Sequence, residues 1–258
     1  MTIQKLHTTV SGRGDAPALL LLNSLGAAQG MWDQQLPLLE QYYRVIRCDT
    51  RGHGKSPTSA SPYSFDDFVA DAIGVLDDHG VETATVMGLS LGGMTALGLG
   101  LAAPDRINKV ICCAARADAP PPFVQNWHNR LAMLESGGIE EVWNNTVGMW
   151  LSDDTRSAHP EREAALRETF LQTTEEGYRG CASALIGLAY RGLEASEGAR
   201  DAVYGFFRWS ETRARKGRRM VLLVDDAHNA PADVLRLLLS AYQAADRATA
   251  AAVIFSGS

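Results

Sequence analysis

Val86-Met-Gly-Leu-Ser-Leu-Gly-Gly93 sets Ser90 between two glycines, Gly88 and Gly92, in the pattern G-x-S-x-G. The chemistry this spacing serves is nucleophilic attack on a carbonyl. A strand that turns sharply into a helix lifts the serine hydroxyl clear of its sheet, and bulk at either glycine would collide with the turn. Ser90 then sits at a helix N-terminus, where the N–H of Leu91 has no helical acceptor and is free to hold an oxyanion. The plainer reading is a glycine-rich turn with an incidental serine. The strand-like run before Ser90 and the helix-forming run after it favour the nucleophile.

Acyl transfer needs a second donor converging on the same oxygen. The loop after the apolar run Leu19 to Leu22 reads Asn23-Ser-Leu-Gly26, and the N–H of Leu25 is the candidate. An ordinary strand-to-helix turn is the alternative for this loop.

These residues need elements to position them. Ala18 to Leu22, Arg44 to Cys48, Thr83 to Met87 and Lys109 to Ala114 read as short strands. Met31 to Gln41 has helical spacing. Ser64 can cap a helix from Phe65 to His79 that Gly80 stops, and a helix from Leu91 to Ala103 ends at Pro104. Alternating strands and helices predict an α/β fold with a mostly parallel sheet covered on both faces. Sites in such sheets lie at the carboxyl ends of strands, where the loops after Leu22 and Met87 fall. Pro120-Pro-Pro122 then reads as a linker-like break. From Phe123 to Tyr190 helical patterns dominate, with Trp127, Trp143 and Trp150 among them. The expected division is a core over residues 1–119, a helical cap over 120–191 and an atypical C-terminal part over 192–258. That last part holds a basic stretch, Arg213 to Arg219, read as a solvated face or linker. After it come a strand (Met220 to Val224), a helix (Ala232 to Ala245) and a strand (Ala251 to Phe255).

Composition narrows the partners. The chain has 258 residues, 46% of them hydrophobic, and a net charge of −6. Mixed charges on an acidic background give no reason to expect nucleic acid or an anionic membrane. The start lacks a secretory pattern, and no apolar stretch reaches spanning length. The four cysteines, Cys48, Cys112, Cys113 and Cys181, have no metal-ligand spacing and read as reduced, mostly buried thiols of a cytoplasmic protein.

The chain resembles the α/β-hydrolase superfamily, and within it the 3-oxoadipate enol-lactonases, over about residues 1–191. Four stretches carry the likeness: Leu20-Leu-Leu-Asn-Ser-Leu-Gly26, Met31-Trp-Asp33, Asp49-Thr-Arg-Gly-His-Gly-Lys-Ser56 and Met87-Gly-Leu-Ser-Leu-Gly-Gly93. The cap is similar around Trp127 to Arg130 and from Glu176 to Ala182. The resemblance implies hydrolysis of a small anionic lactone or ester in aromatic-compound breakdown. Ser90 would attack, with Leu25 and Leu91 N–H groups holding the oxyanion, and no metal or organic cofactor would be needed. A cap arginine such as Arg130 would pair the substrate carboxylate, the alternative being a solvated arginine. Trp127 and Trp150 would wall the pocket, or serve only as cap core.

The superfamily orders its triad as Ser, then acid, then His, with the His expected after the final strand. Here no histidine follows Phe255, so impaired catalysis is expected, and a non-catalytic hydrolase-fold binding protein is the alternative. After Ser90 the histidines are His128 and His159, read as surface residues of the cap, and His228. Asp225 stands at a strand end suited to the acid, with His228 three residues later. His53 is expected to stabilise its own loop. Residues 218–258, with Asp225-Asp226 after an apolar strand, also resemble a Walker B and sensor fragment of an AAA-type ATPase. A nucleotide-binding function is disfavoured, because the phosphate loop would have Asp49 in its first glycine position before Gly54-Lys-Ser56.

Overall fold

The computed structural model describes residues 3–190 and the backbone of the strands 219–224 and 252–255. Seven strands form one sheet: β1 (Thr8–Gly12), β2 (Ala18–Leu22), β3 (Arg44–Cys48), β4 (Ala84–Leu89), β5 (Ile107–Cys113), β6 (Arg219–Val224) and β7 (Ala252–Phe255). Their spatial order is β1-β3-β2-β4-β5-β6-β7. Every neighbouring pair is parallel except β1 with β3. The order reverses at β2: β3 lies on one side of it and β4 on the other. The crevice at the carboxyl ends of β2 and β4 is therefore the switch point where such sheets build their sites.

Alternation along β2 divides two cores. Leu20 and Leu22 join Ile46, Val86 and the apolar faces of α2 (Phe65–Asp78) and α3 (Leu91–Ala102). Leu19 and Leu21 face the other way, onto Trp32 and Val45, with Leu36 and Leu39 of α1 (Leu36–Leu39) packed against them. A strand buried on both faces reads as a continuous apolar run, as Ala-Leu-Leu-Leu-Leu does.

Helix α2 begins at the expected cap. Ser64 Oγ accepts from the Asp67 N–H at 3.4 Å, and the Asp67 carboxylate accepts from the Ser64 N–H at 2.9 Å. The stretch from Met31 to Gln41 is not one helix. It holds a 3₁₀ turn over Gln29–Trp32 and the four-residue α1, with Pro37 in its first turn. Proline lacks a donor and fits only a helix start, so it splits the segment. The first residues were not read as a strand, yet β1 pairs antiparallel along β3.

Residues 121–186 form the cap: α4 (Pro121–Asn144), α5 (Val147–Trp150), α6 (Asp153–Ala158), α7 (Pro160–Leu171) and α8 (Glu175–Ile186). The Pro120-Pro-Pro122 stretch is not a linker, since Pro121 and Pro122 open α4. Inside α4, Gly138 at φ 69° breaks the helical path. The cap leaves and rejoins the core at adjacent points: Asp118 bridges Ala189, and the Tyr190 N–H donates to the Ala117 carbonyl at 2.9 Å. Its own core of Leu134, Val142, Trp143, Phe170, Tyr178 and Cys181 is continuous with Leu25, Leu91 and Met94 below. No described helix is long and apolar enough to cross a membrane.

Candidate active site

Ser90 stands between β4 and α3 with φ 53° and ψ −115°, a left-handed conformation costly for a side-chain-bearing residue. The turn is held by the Ser90 N–H donating to the Cys113 carbonyl at 2.9 Å. Both flanking glycines are obligatory. A Cβ at Gly88 would lie 2.2 Å from the Gly92 backbone, and one at Gly92 would lie 2.3 Å from the Leu22 carbonyl oxygen. The helix thus starts against the end of β2, which brings the serine to the loop after that strand.

That loop is fixed from several sides. The buried Asn23 side chain donates to the Cys48 carbonyl at 2.7 Å and accepts from the Trp32 indole at 3.0 Å. Gly26 has φ +80°, and the Phe170 ring of the cap fills the space a Cβ would need, 2.3 Å away. The Gly26 N–H donates to His53 Nε2 at 3.0 Å, while His53 Nδ1 meets the Arg51 carbonyl at 3.1 Å. Burial pushes the His53 pKa down to about 4, against the opposing pull of the Arg51 carbonyl and Asp49. The N–H groups of Leu25 and Leu91 have no acceptor among the described residues.

Above Ser90 lies a cavity of about 150 Å³. Leu25 and Ser90 form its floor, and Trp127, Arg130, Thr146, Trp150, Phe170 and Tyr178 of the cap line it. Arg130 donates to the Thr146 hydroxyl at 2.8 Å and to the Tyr178 hydroxyl at 3.2 Å, and its guanidinium stands 5.3 Å from the centre of the Trp127 ring. No carboxylate among the described residues pairs with it. Burial raises the Tyr178 pKa, so its hydroxyl stays neutral beside the cation. The site offers an anion one fixed positive charge within a largely aromatic wall.

No described imidazole lines this cavity. His128 is exposed on α4, and His159 pairs with Glu161 at the surface. Asp225 and His228 lie outside the described residues. His53 is occupied through both ring nitrogens. Its reach to Gly26 escaped the sequence reading, as did the contacts of Thr146 and Tyr178 with Arg130. The cysteines are free thiols. Burial pushes Cys48 up to about 12 and raises Cys112 and Cys181, which makes these three poor nucleophiles.

The Asp49 to Ser56 loop is no phosphate cradle. The Asp49 carboxylate accepts from the Gln29 N–H at 2.8 Å and the Lys55 N–H at 3.0 Å, and it fills the space beside Gly54. A negative group already holds amides that a phosphate would require. Strands β6 and β7 continue the sheet in parallel from β5.

A strained serine turn at the switch point of a parallel sheet, under a helical cap, defines a hydrolase architecture. A family model described as the alpha/beta hydrolase fold matches residues 17–218, and the chain belongs to that family. It is 34% identical over 180 residues to 3-oxoadipate enol-lactonase 2 of Acinetobacter baylyi, covering 70% of this chain and 67% of that protein. Enol-lactonase 1 of the same organism is 30% identical over 180 residues, covering 70% of this chain and 66% of that one. The chain thus spans about two thirds of the length of these curated relatives. The crystal structure of the enol-lactonase from Burkholderia xenovorans LB400 matches at a TM-score of 0.74 and 26% identity, over 97% of this chain and 86% of that one. These comparisons lend no support to the ATPase likeness of residues 218–258, and that expectation is withdrawn.

Proposed function

We propose that the protein is a serine-dependent hydrolase of small anionic esters, with enol-lactones of the 3-oxoadipate type as the substrate class. The observation that carries this reading is the Arg130 guanidinium, without a carboxylate partner among the described residues, in the same small cavity as Ser90. Ser90 Oγ attacks the lactone carbonyl carbon, and the carbonyl oxygen takes the negative charge between the Leu25 and Leu91 N–H groups. Collapse expels the ring oxygen as the enol, leaving an acyl-serine, and water then attacks that ester to release the acid. The serine proton must pass to a base and on to the leaving oxygen. The candidate base is His228, with Asp225 as its partner.

The absence of a described imidazole from the cavity favours one other reading, a binding protein that holds an anionic lactone without turning it over. Hydrolysis assays with an enol-lactone and with a neutral p-nitrophenyl ester separate the two. The hydrolase reading expects turnover that Ser90→Ala abolishes and His228→Ala reduces by orders of magnitude. Arg130→Ala should raise KM for the anionic lactone about 10- to 100-fold, the loss of a charge-assisted bond, and leave the neutral ester unaffected. An unchanged lactone KM in Arg130→Ala rejects the assigned role. Thermal stabilisation by the lactone with no turnover establishes the binder instead.

A further inference from the structure

We propose that His53 is a positioning residue for the oxyanion hole: anchored on the Arg51 carbonyl, its imidazole holds the Gly26 amide and so fixes the Leu25 N–H beside Ser90. The significance of Leu25 rests on the hydrolase reading; the bracing of its loop does not.

The contact follows from topology. β2 and β3 are parallel neighbours, so the loops leaving Leu22 and Cys48 emerge side by side. Residue 53 thereby reaches residue 26. A backbone N–H only donates, so Nε2 must accept from Gly26 and the proton must sit on Nδ1, donated to the Arg51 carbonyl. Both nitrogens are committed and the ring is 0% exposed, which leaves the side chain nothing to offer as a proton shuttle.

The imidazole is itself rigidly held. The His53 N–H donates to the Thr50 carbonyl at 2.9 Å, and the His53 carbonyl accepts from Ser56 at 3.0 Å. Arg51 is tied to the buried Asp71 by two bonds of 2.7 and 2.8 Å. Gly52 abuts Gly177 of α8 so closely that a Cβ there would lie 2.4 Å from the Gly177 Cα. On the other side of Gly26 stands Phe170. The Ala27 N–H, bonded to the Ser24 carbonyl at 3.2 Å, closes the turn. Gly26 is the most permissive residue of this turn, and its amide is the one the imidazole fixes. The neighbouring peptide, which carries the Leu25 N–H, inherits that orientation. Apolar bulk in place of His53 would fill the space and leave the buried Gly26 N–H without an acceptor.

The test uses the full chain. His53→Leu keeps bulk and removes the acceptor, and His53→Gln returns an acceptor oxygen near the Nε2 position. A displaced oxyanion donor predicts that His53→Leu lowers kcat about 30- to 100-fold while KM changes less than about threefold. His53→Gln should recover most of that loss. In isotope-labelled protein, the Leu25 and Gly26 amide resonances should shift in His53→Leu and return toward the parent in His53→Gln. If His53→Leu fails to fold, His53→Asn replaces it, being able to donate to Arg51 but too short to reach Gly26. Equal kcat in the two variants, a KM effect alone, or unmoved Leu25 and Gly26 amides in the acceptor-free variant overturns the assignment. Absence of Ser90-dependent turnover in the parent defeats the hydrolase reading, and the amide resonances then still decide whether His53 sets the loop.

Discussion

Burying His53 uncharged has a thermodynamic signature. Its pKa in the fold is about 4, below the ordinary 6.5. Between those values the unfolded chain binds a proton that the folded chain refuses. The contribution is therefore fully present above about pH 6.5 and lost as pH falls toward 4, with a size of about 3 kcal/mol at the acid end. Urea midpoints measured from neutral pH downward should fall more steeply for the parent chain than for His53→Gln. Ser90, Leu25 and Leu91 stand out as candidates in the sequence because the signal is local: each sits in a short motif just after the end of a strand. The bond from Gly26 to His53 spans 27 positions and depends on which strands are neighbours. The Arg130 contacts bring together two helices of the cap, α4 and α8, and the turn before α5. The sequence suggested an anion partner for Arg130, but not the hydroxyls that aim it.

Among the elements, those with a terminal signal or a strong periodicity were legible. Helix α2 announced itself through Ser64, and the capping bonds, which the structure shows to include the Asp67 carboxylate, are present. Ser64→Ala should cost about 1 kcal/mol, read as a lowered denaturant midpoint with an unchanged slope. β2 and α3 were readable because deep burial leaves nearly continuous apolar runs. Two elements misled for identifiable reasons. Met31, Trp32, Leu36 and Leu39 lie at helical spacing because all four face one sheet surface, yet Pro37 prevents a continuous helix. β1, Thr-Thr-Val-Ser-Gly, is a partly exposed edge strand with one apolar side chain, so neither alternation nor an apolar run marks it.

At the level of the whole molecule, cap and core are one packed body over the described residues. Phe170 is the joint: it is 0% exposed, it touches Trp143, Trp150 and Tyr178 in the cap, and its ring lies against Gly26 in the core. Phe170→Ala should cost about 3–5 kcal/mol in stability. It should also raise the rate of amide exchange in the Leu25 loop, because one wall of that loop is removed. The parallel sheet and the helical layer above it were foreseeable from the alternation of strand and helix and the change of texture near Pro120. How closely the cap presses on the Leu25 loop was not, since it depends on a ring from residue 170 entering the space left by a glycine at residue 26.

Among the described residues, the guanidinium in the cavity is satisfied only by neutral groups, two hydroxyls, a thioether and an indole face. A cation left in that condition accepts whatever small anion the solvent supplies. If the proposed function holds, chloride, acetate or phosphate in an assay mixture should then behave as weak competitive inhibitors, and any preference for acidic over neutral substrates should depend on the buffer salt. Kinetic comparisons on this protein gain their meaning from zwitterionic buffers at a fixed, low concentration of added salt.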